Sequence, residues 1–402
     1  MKPMKIYTLL KPINLLMFML IIQLFIYILY LFSIIPSYRI NYISDNYLGY
    51  FHLFTLYIVL FTILIINRNK TPRKIKVEIF DKKILLRMSI LITLFTTVYM
   101  VVGFKDIFIN GSFNSIYEIF VQGQQGGLKK FKEDGSGLTL IHIFYILSNI
   151  LLVLLISVRK SKKYIALILI NFLMIFILST LLMARFILVQ SIIIPLVLYL
   201  RLTNTIFTSI KVKYIIGAFI LLFFLFLTSG IRDYEDIGYK YTDTSLSWGF
   251  SRITDYFIST FNYTVEALGT HIDFSTFPKG IIGILSYFQD SNIDYIANVW
   301  NDRNVYAAID YTNLGSFTTI YNSAYFFTPF FMILLALLYN YFWNGFISGN
   351  LTKIIIYPVF LYNILETTRV FFLGSVAGNI WIITLLLFLV FIRRYIRIVK
   401  DE

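Results

Sequence analysis

The chain contains no cysteine in 402 residues. That excludes a disulfide framework, a thiol nucleophile and any cysteine-ligated zinc site. Charge is scarce as well: 14% of residues are Asp, Glu, Lys or Arg, against about 25% in soluble domains. Nucleotide and hydrolase signatures are missing too, with no P-loop, no G-x-S-x-G, no H-E-x-x-H and no D-x-D. Without a phosphate cradle, transport energised by the chain itself is disfavoured. Histidine occurs only three times, so a histidine-rich metal centre is not expected, and no metal or cofactor is assigned.

Apolar residues make up 58% of the chain, and they come in runs, not in alternation. Runs of about 18 or more with few charges read as transmembrane helices. The expected fold is therefore all-α: a single polytopic membrane domain over 1–402. About ten spans are expected near 13–35, 50–66, 84–104, 138–158, 164–182, 186–200, 214–229, 321–343, 354–373 and 379–396. The N-terminus starts positive and runs apolar to about residue 35 without a small-residue cleavage site, so it is read as a retained first helix.

A net charge of +14 would suit nucleic acid, but the basic residues cluster beside helix ends, as the positive-inside rule requires. With ten spans, one side collects 23 of the 35 Lys and Arg with 4 acids, and the other holds 12 with 17 acids. The basic side contains "NRNKTPRKIKVEIFDKK", "RKSKK" and "RRYIRIVK" and is read as cytoplasmic, along with both termini. The opposite side carries three loops: a small one, a glycine-rich one (105–137), and a large, partly helical one between spans seven and eight. That last loop, 230–320, has eleven acids, five basic residues and many aromatics. Within it, Leu246, Phe250, Ile253, Phe257, Phe261, Val265 and Leu268 recur at steps of three and four, which marks one face of a helix. That helix is expected to lie on the outer surface, over the mouth of the helices, and a plain packing helix of an outer cap is the compatible alternative.

Candidate chemistry rests on arginines. Arg185 is the only charge between Tyr164 and Leu200. That stretch is far too long for one crossing, so the chain must turn back near "LMAR" and put Arg185 at an outer mouth. Arg232 follows the seventh span in "TSGIRDYED", and Arg252 and Arg303 lie in the large loop. A guanidinium binds phosphate through two parallel hydrogen bonds and stays charged. The structural alternatives are local pairs: Arg252 with Asp255, Arg369 with Glu366, and Arg232 with the acids that follow it. Arg185 has no such neighbour, and its alternative is to snorkel to the interface. All three histidines map to the outer side. His52 and His142 sit at helix starts, where capping is the simpler role. His271, in "LGTHIDFSTFPKG", is the better general base, with Glu266 and Asp273 as rivals.

From about Ser179 to Phe391 the pattern resembles the Wzy-type polymerases of O-antigen and capsule repeat units, which are related to O-antigen ligases. The resemblance rests on "STLLMARFILVQSIIIPLVLYL", "TSGIRDYED", the large late outer loop and "YTNLGSFTTIYNSAYFFTPFFMILLALLYNYFW". It implies a glycosyltransferase in the bacterial cytoplasmic membrane that moves a growing glycan from undecaprenyl diphosphate onto the next lipid-linked repeat unit. Arg185 and Arg232 fall where family arginines act. His271 would complete the catalytic set, and Arg252 and Arg303 would bind substrate. Implied partners are undecaprenyl-diphosphate-linked oligosaccharides, membrane lipids, a chain-length regulator and a flippase, with no nucleic acid. The chain departs from the family in "IYNSAYFFTP", which lacks an acid and glycines found there, and in having no Arg-x10-Gly spacing. An O-antigen ligase is the nearest alternative activity. A non-enzymatic flippase or exporter of the same glycans is the other, although such transporters usually show internal repeats and midplane polar sites, and no repeat is present here.

Overall fold

A computed structural model describes residues 4–35, 37, 44–66, 70–103, 140–181, 185–210, 217, 234, 238–269, 315–368 and 371–400. It is mostly helical. The main elements are α1 (Pro12–Leu31), α2 (Tyr47–Ile66), β1 (Ile75–Ile79), α3 (Lys82–Gly103), α4 (His142–Val158), α5 (Lys162–Leu181), α6 (Arg185–Leu202), α7 (Ser245–Gly269), α8 (Gly315–Ala324), α9 (Thr328–Ser348), α10 (Leu351–Glu366), α11 (Val376–Ile392) and β2 (Ile396–Lys400). Helices thus lie over nine of the ten expected spans. The seventh, 214–229, falls outside the described residues apart from Gly217. Among the described residues, five helices are long and apolar enough to cross a membrane: α1, α2, α3, α5 over Lys162–Ser179, and α9. α4, α6 and α11 are apolar but shorter.

The chain divides into two compact units. One comprises Met1–Asn69, Ile210–Tyr341 and Asn363–Ile382; the other comprises Lys70–Ser209, Phe342–Tyr362 and Ile383–Glu402.

In the second unit, α4 is the inner helix. Fourteen of its seventeen residues are buried, and α3, α5 and α6 pack on it. Apolar contact alone gives little drive for helices to associate in lipid, so polar side chains contribute the specificity. Here Ser89 and Thr93 of α3 meet Ser148 of α4 at 2.8 and 2.9 Å. Asn171 of α5 accepts from Thr93 at 2.8 Å and donates to Ser148 at 3.0 Å and to Asn149 at 2.8 Å. Thr97 and Tyr145 extend the same seam at 2.9 Å.

The all-α expectation needs one amendment. β1 and β2 form an antiparallel pair, with Ile75 opposite Lys400 and Glu78 opposite Arg397. "IKVEI" alternates apolar and charged residues, the two-residue period of a half-buried strand, and "IRIVK" does so over its first three residues. Ile75, Val77 and Ile396 are buried accordingly.

In the first unit, α7 packs against α1, α2 and α8. The approach to α2 is close enough to need glycine. A Cβ on Gly49 would lie 1.8 Å from the Val265 carbonyl oxygen, a backbone atom that cannot rotate away. Gly49→Ala is expected to force the helices apart and cost about 1–3 kcal/mol, the usual range for overpacking. Thermal unfolding of the detergent-purified protein checks it, and an unchanged midpoint would show that the crossing is loose.

Candidate functional site

α7 does not sit as its apolar stripe predicts. Leu246 is 53% exposed and Phe250 37%, whereas Phe261, Val265 and Leu268 are buried. The opposite face is buried along its length. Trp248, Ser251, Asp255, Ser259 and Asn262 are all at 2% exposure or less, and half-buried Glu266 continues the line. Steps of three and four put these six on one helix face. A helix resting on a surface would have turned that polar face to water. Here it turns inward, and α7 packs within its unit by its polar side.

Polar residues at helix ends and in the α1–α2 connection explain the orientation. The Ser37 hydroxyl donates to Asp255 at 2.5 Å, and the Ser251 hydroxyl donates to the other carboxylate oxygen at 3.4 Å. Further along, the Ser44 hydroxyl donates to Glu266 at 2.5 Å, and the Ser44 amide donates to Asn262 at 3.5 Å. Asn46 has two roles. Its carbonyl oxygen accepts the Gly49 amide at 3.0 Å, capping α2, while its amide nitrogen reaches Glu266 at 3.5 Å. The His52 ring meets the Leu268 carbonyl at 2.8 Å. A carbonyl can only accept, so Nδ1 carries the proton, and the bond satisfies an orphan acceptor at the end of α7.

Aromatic side chains adjoin these groups. The Tyr50 hydroxyl donates to the Ser44 carbonyl at 3.1 Å, which leaves Tyr27 to donate to Tyr50 at 2.7 Å. The Phe261 ring lies 4.6 Å from Tyr27 and 5.9 Å from Tyr50. The result is a buried patch of mutually bonded donors and acceptors flanked by rings. Asp255 and Glu266 stand about 16 Å apart along α7, at 1.5 Å per residue. Paired carboxylates of glycoside hydrolases stand roughly 5–9.5 Å apart, so these two do not form that pair.

The sequence-predicted residues fall as follows. Arg252 is on α7, half-buried, with its guanidinium 5.8 Å from the centre of the Trp248 ring. Arg185 is the first residue of α6, and α5 ends at Leu181; the expected turn near "LMAR" thus falls between two helices. Arg232, His271 and Arg303 lie outside the described residues, as do Asp273 and Arg369. Arg185 belongs to the second unit and Arg252 to the first. In the second unit, His142 is 1% exposed and pairs through Nε2 with the Gln190 side-chain oxygen at 2.8 Å. It therefore joins the first turn of α4 to the second turn of α6, five residues from Arg185, and is more than a cap. Among the described residues, no group of three His, Cys, Asp or Glu is placed to hold a metal.

No family model, no curated protein and no solved structure matches the chain.

In sequence terms Asp255 stands only as a partner for Arg252, and Ser251, Ser259 and Asn262 carry no assigned role. Their signal was present: small polar residues recurring along one face of a helix that carries only three charges. Such a stripe reads as solvated in a soluble protein. Beside lipid it reads as the face that must be covered.

Proposed function

We propose that the chain is a glycosyltransferase that polymerises lipid-linked oligosaccharide repeat units at the outer face of the cytoplasmic membrane. It would transfer the growing glycan from undecaprenyl diphosphate to the next repeat unit. The observation that carries this reading is the buried polar face of α7, gathered with Ser44, Asn46, Tyr27 and Tyr50. A sugar substrate tethered to lipid needs such groups at one end of apolar helices. The charge split of the loops supports an outward-facing end in this reading.

In this reading the donor bond breaks at the anomeric carbon and the diphosphate departs with its charge. Stabilising that charge contributes more than acid catalysis, which is the task given to Arg185 and Arg232. His271 would accept the proton of the attacking hydroxyl. Arg252 and Arg303 would hold the substrate, and apolar helix walls would hold the polyprenyl tails. No metal enters the scheme.

The test is direct. Purified protein is given lipid-linked repeats with and without lipid A core. A ladder of polymer in the absence of core is the expected result. Transfer to core alone would make the protein a ligase. Absence of any transfer, with repeats crossing a proteoliposome bilayer, would make it a flippase.

A further inference from the structure

The first unit carries a second feature, at the opposite end of the α1–α2 hairpin from Ser44 and Tyr50. An open groove of about 290 Å³ is lined by Ile13, Met17, Leu20 and Ile21 of α1 and by Phe61 and Ile65 of α2. It begins one residue inside α1 and reaches the penultimate residue of α2. The walls stand open: Met17 is 47%, Ile21 59% and Ile65 66% exposed. Both helices are long and apolar enough to span a membrane, so the medium that meets this groove is hydrocarbon.

Positive charge stands at its head. Lys11 immediately precedes α1, and Lys5 precedes the short helix Ile6–Leu9. That segment is held to the start of α1 by the Asn14 side-chain amide donating to the Thr8 carbonyl at 2.5 Å. The first turn of α1 contains no acid, and the first acid anywhere in the chain is Asp45. The start of a helix adds its own partial positive charge.

We propose that this groove and the two lysines form a binding site for an anionic glycerophospholipid. One acyl chain fills the groove, and the headgroup phosphate meets Lys11 and Lys5. A zwitterionic lipid fits the same groove, but its headgroup brings a cation against the lysines, so the site selects for net negative charge. The proposal does not depend on the glycan activity.

Native mass spectrometry of the full-length protein, released from micelles holding equal phosphatidylglycerol and phosphatidylcholine, tests it. The wild type is expected to retain phosphatidylglycerol at least fivefold over phosphatidylcholine. Lys11→Gln is expected to lower that ratio about fivefold, the effect of one basic residue at a membrane surface, and Lys5→Gln repeats the measurement with an exposed residue. Met17→Trp, at an exposed wall position, is expected to lower retention of both lipids. Equal retention by the wild type, an unchanged ratio in both lysine variants, or full occupancy in Met17→Trp would each overturn the site.

Discussion

Arg185→Ala is expected to stop chain extension while the protein stays in the membrane at its normal level. Single lipid-linked repeats should accumulate, and the rate of transfer should fall about a hundred- to a thousandfold, the usual loss when one preorganised charge-stabilising donor is removed. The residue opens α6 just after α5 ends at Leu181, so the only charge in a long apolar stretch is placed where two helices meet. The N-terminus of α6 adds unsatisfied amides of the same sign, and a departing diphosphate would gain from both. Arg185→Lys keeps the charge but loses the planar fork, so it should fall between wild type and alanine. The competing role is snorkelling, in which the side chain anchors the helix end at the headgroups. The two are separable by measurement. Loss of an anchor lowers the amount of protein in the membrane fraction and leaves the ladder per molecule unchanged. Loss of a phosphate ligand leaves the amount unchanged and removes the ladder. A full-length ladder from Arg185→Ala would end the proposed role.

Much of the helical framework was legible because hydropathy reports it without interference. Runs of apolar residues broken by basic loops mark where helices start and stop, and nine expected spans have helices over them. Length was less legible. α4 has seventeen residues, about 25 Å at 1.5 Å each, shorter than a hydrocarbon core of about 30 Å, and it is buried within its unit instead of facing lipid. The orientation of α7 is less legible for a different reason. Its apolar face was clear, but in a membrane protein the apolar face can meet lipid and the polar face can be the buried one, which reverses the rule that serves in water. β1 and β2 are hidden by their charge: the lysines and arginines around "IKVEI" and "IRIVK" mark a basic loop more strongly than their Ile and Val mark a strand. His142 was read as a cap because sequence cannot show that Gln190, on another helix, would lie opposite its ring.

Arg201 illustrates the same limit, and it carries the largest expected effect on stability. A basic residue at the end of α6 fits the positive-inside rule and invites no further thought, yet it is fully buried. Its Nε donates to the Phe346 carbonyl at 2.7 Å, and Nη2 donates to the carbonyls of Arg73 at 2.8 Å and Ile347 at 3.2 Å. Nη1 reaches the Asn204 side-chain oxygen at 3.2 Å. Phe346 and Ile347 lie in the last turn of α9, where carbonyls lack helical partners and the helix end is partially negative. The guanidinium thus caps α9 from α6 and ties in the chain that leads to β1. Asn204, held in the left-handed region at φ 58°, completes the join. It accepts the Ile75 amide at 3.0 Å and donates to the Ile75 carbonyl at 2.7 Å, in place of a strand neighbour. Gly349 closes α9 at φ +94°, where an added Cβ would crowd the Ile75 side chain at 2.7 Å. Arg201→Met keeps the stem and removes every donor, stranding the Phe346 and Arg73 carbonyls, while the Ile347 carbonyl keeps the Arg73 amide at 3.1 Å. At about 1–3 kcal/mol for each buried group left unsatisfied, the loss should be about 2–6 kcal/mol. Lysine has three donors but no fork and cannot span acceptors on three separate segments, so Arg201→Lys should recover only part of it. Thermal unfolding in detergent measures both, and if the methionine variant matches the wild type, the knot at the end of α9 carries no stability.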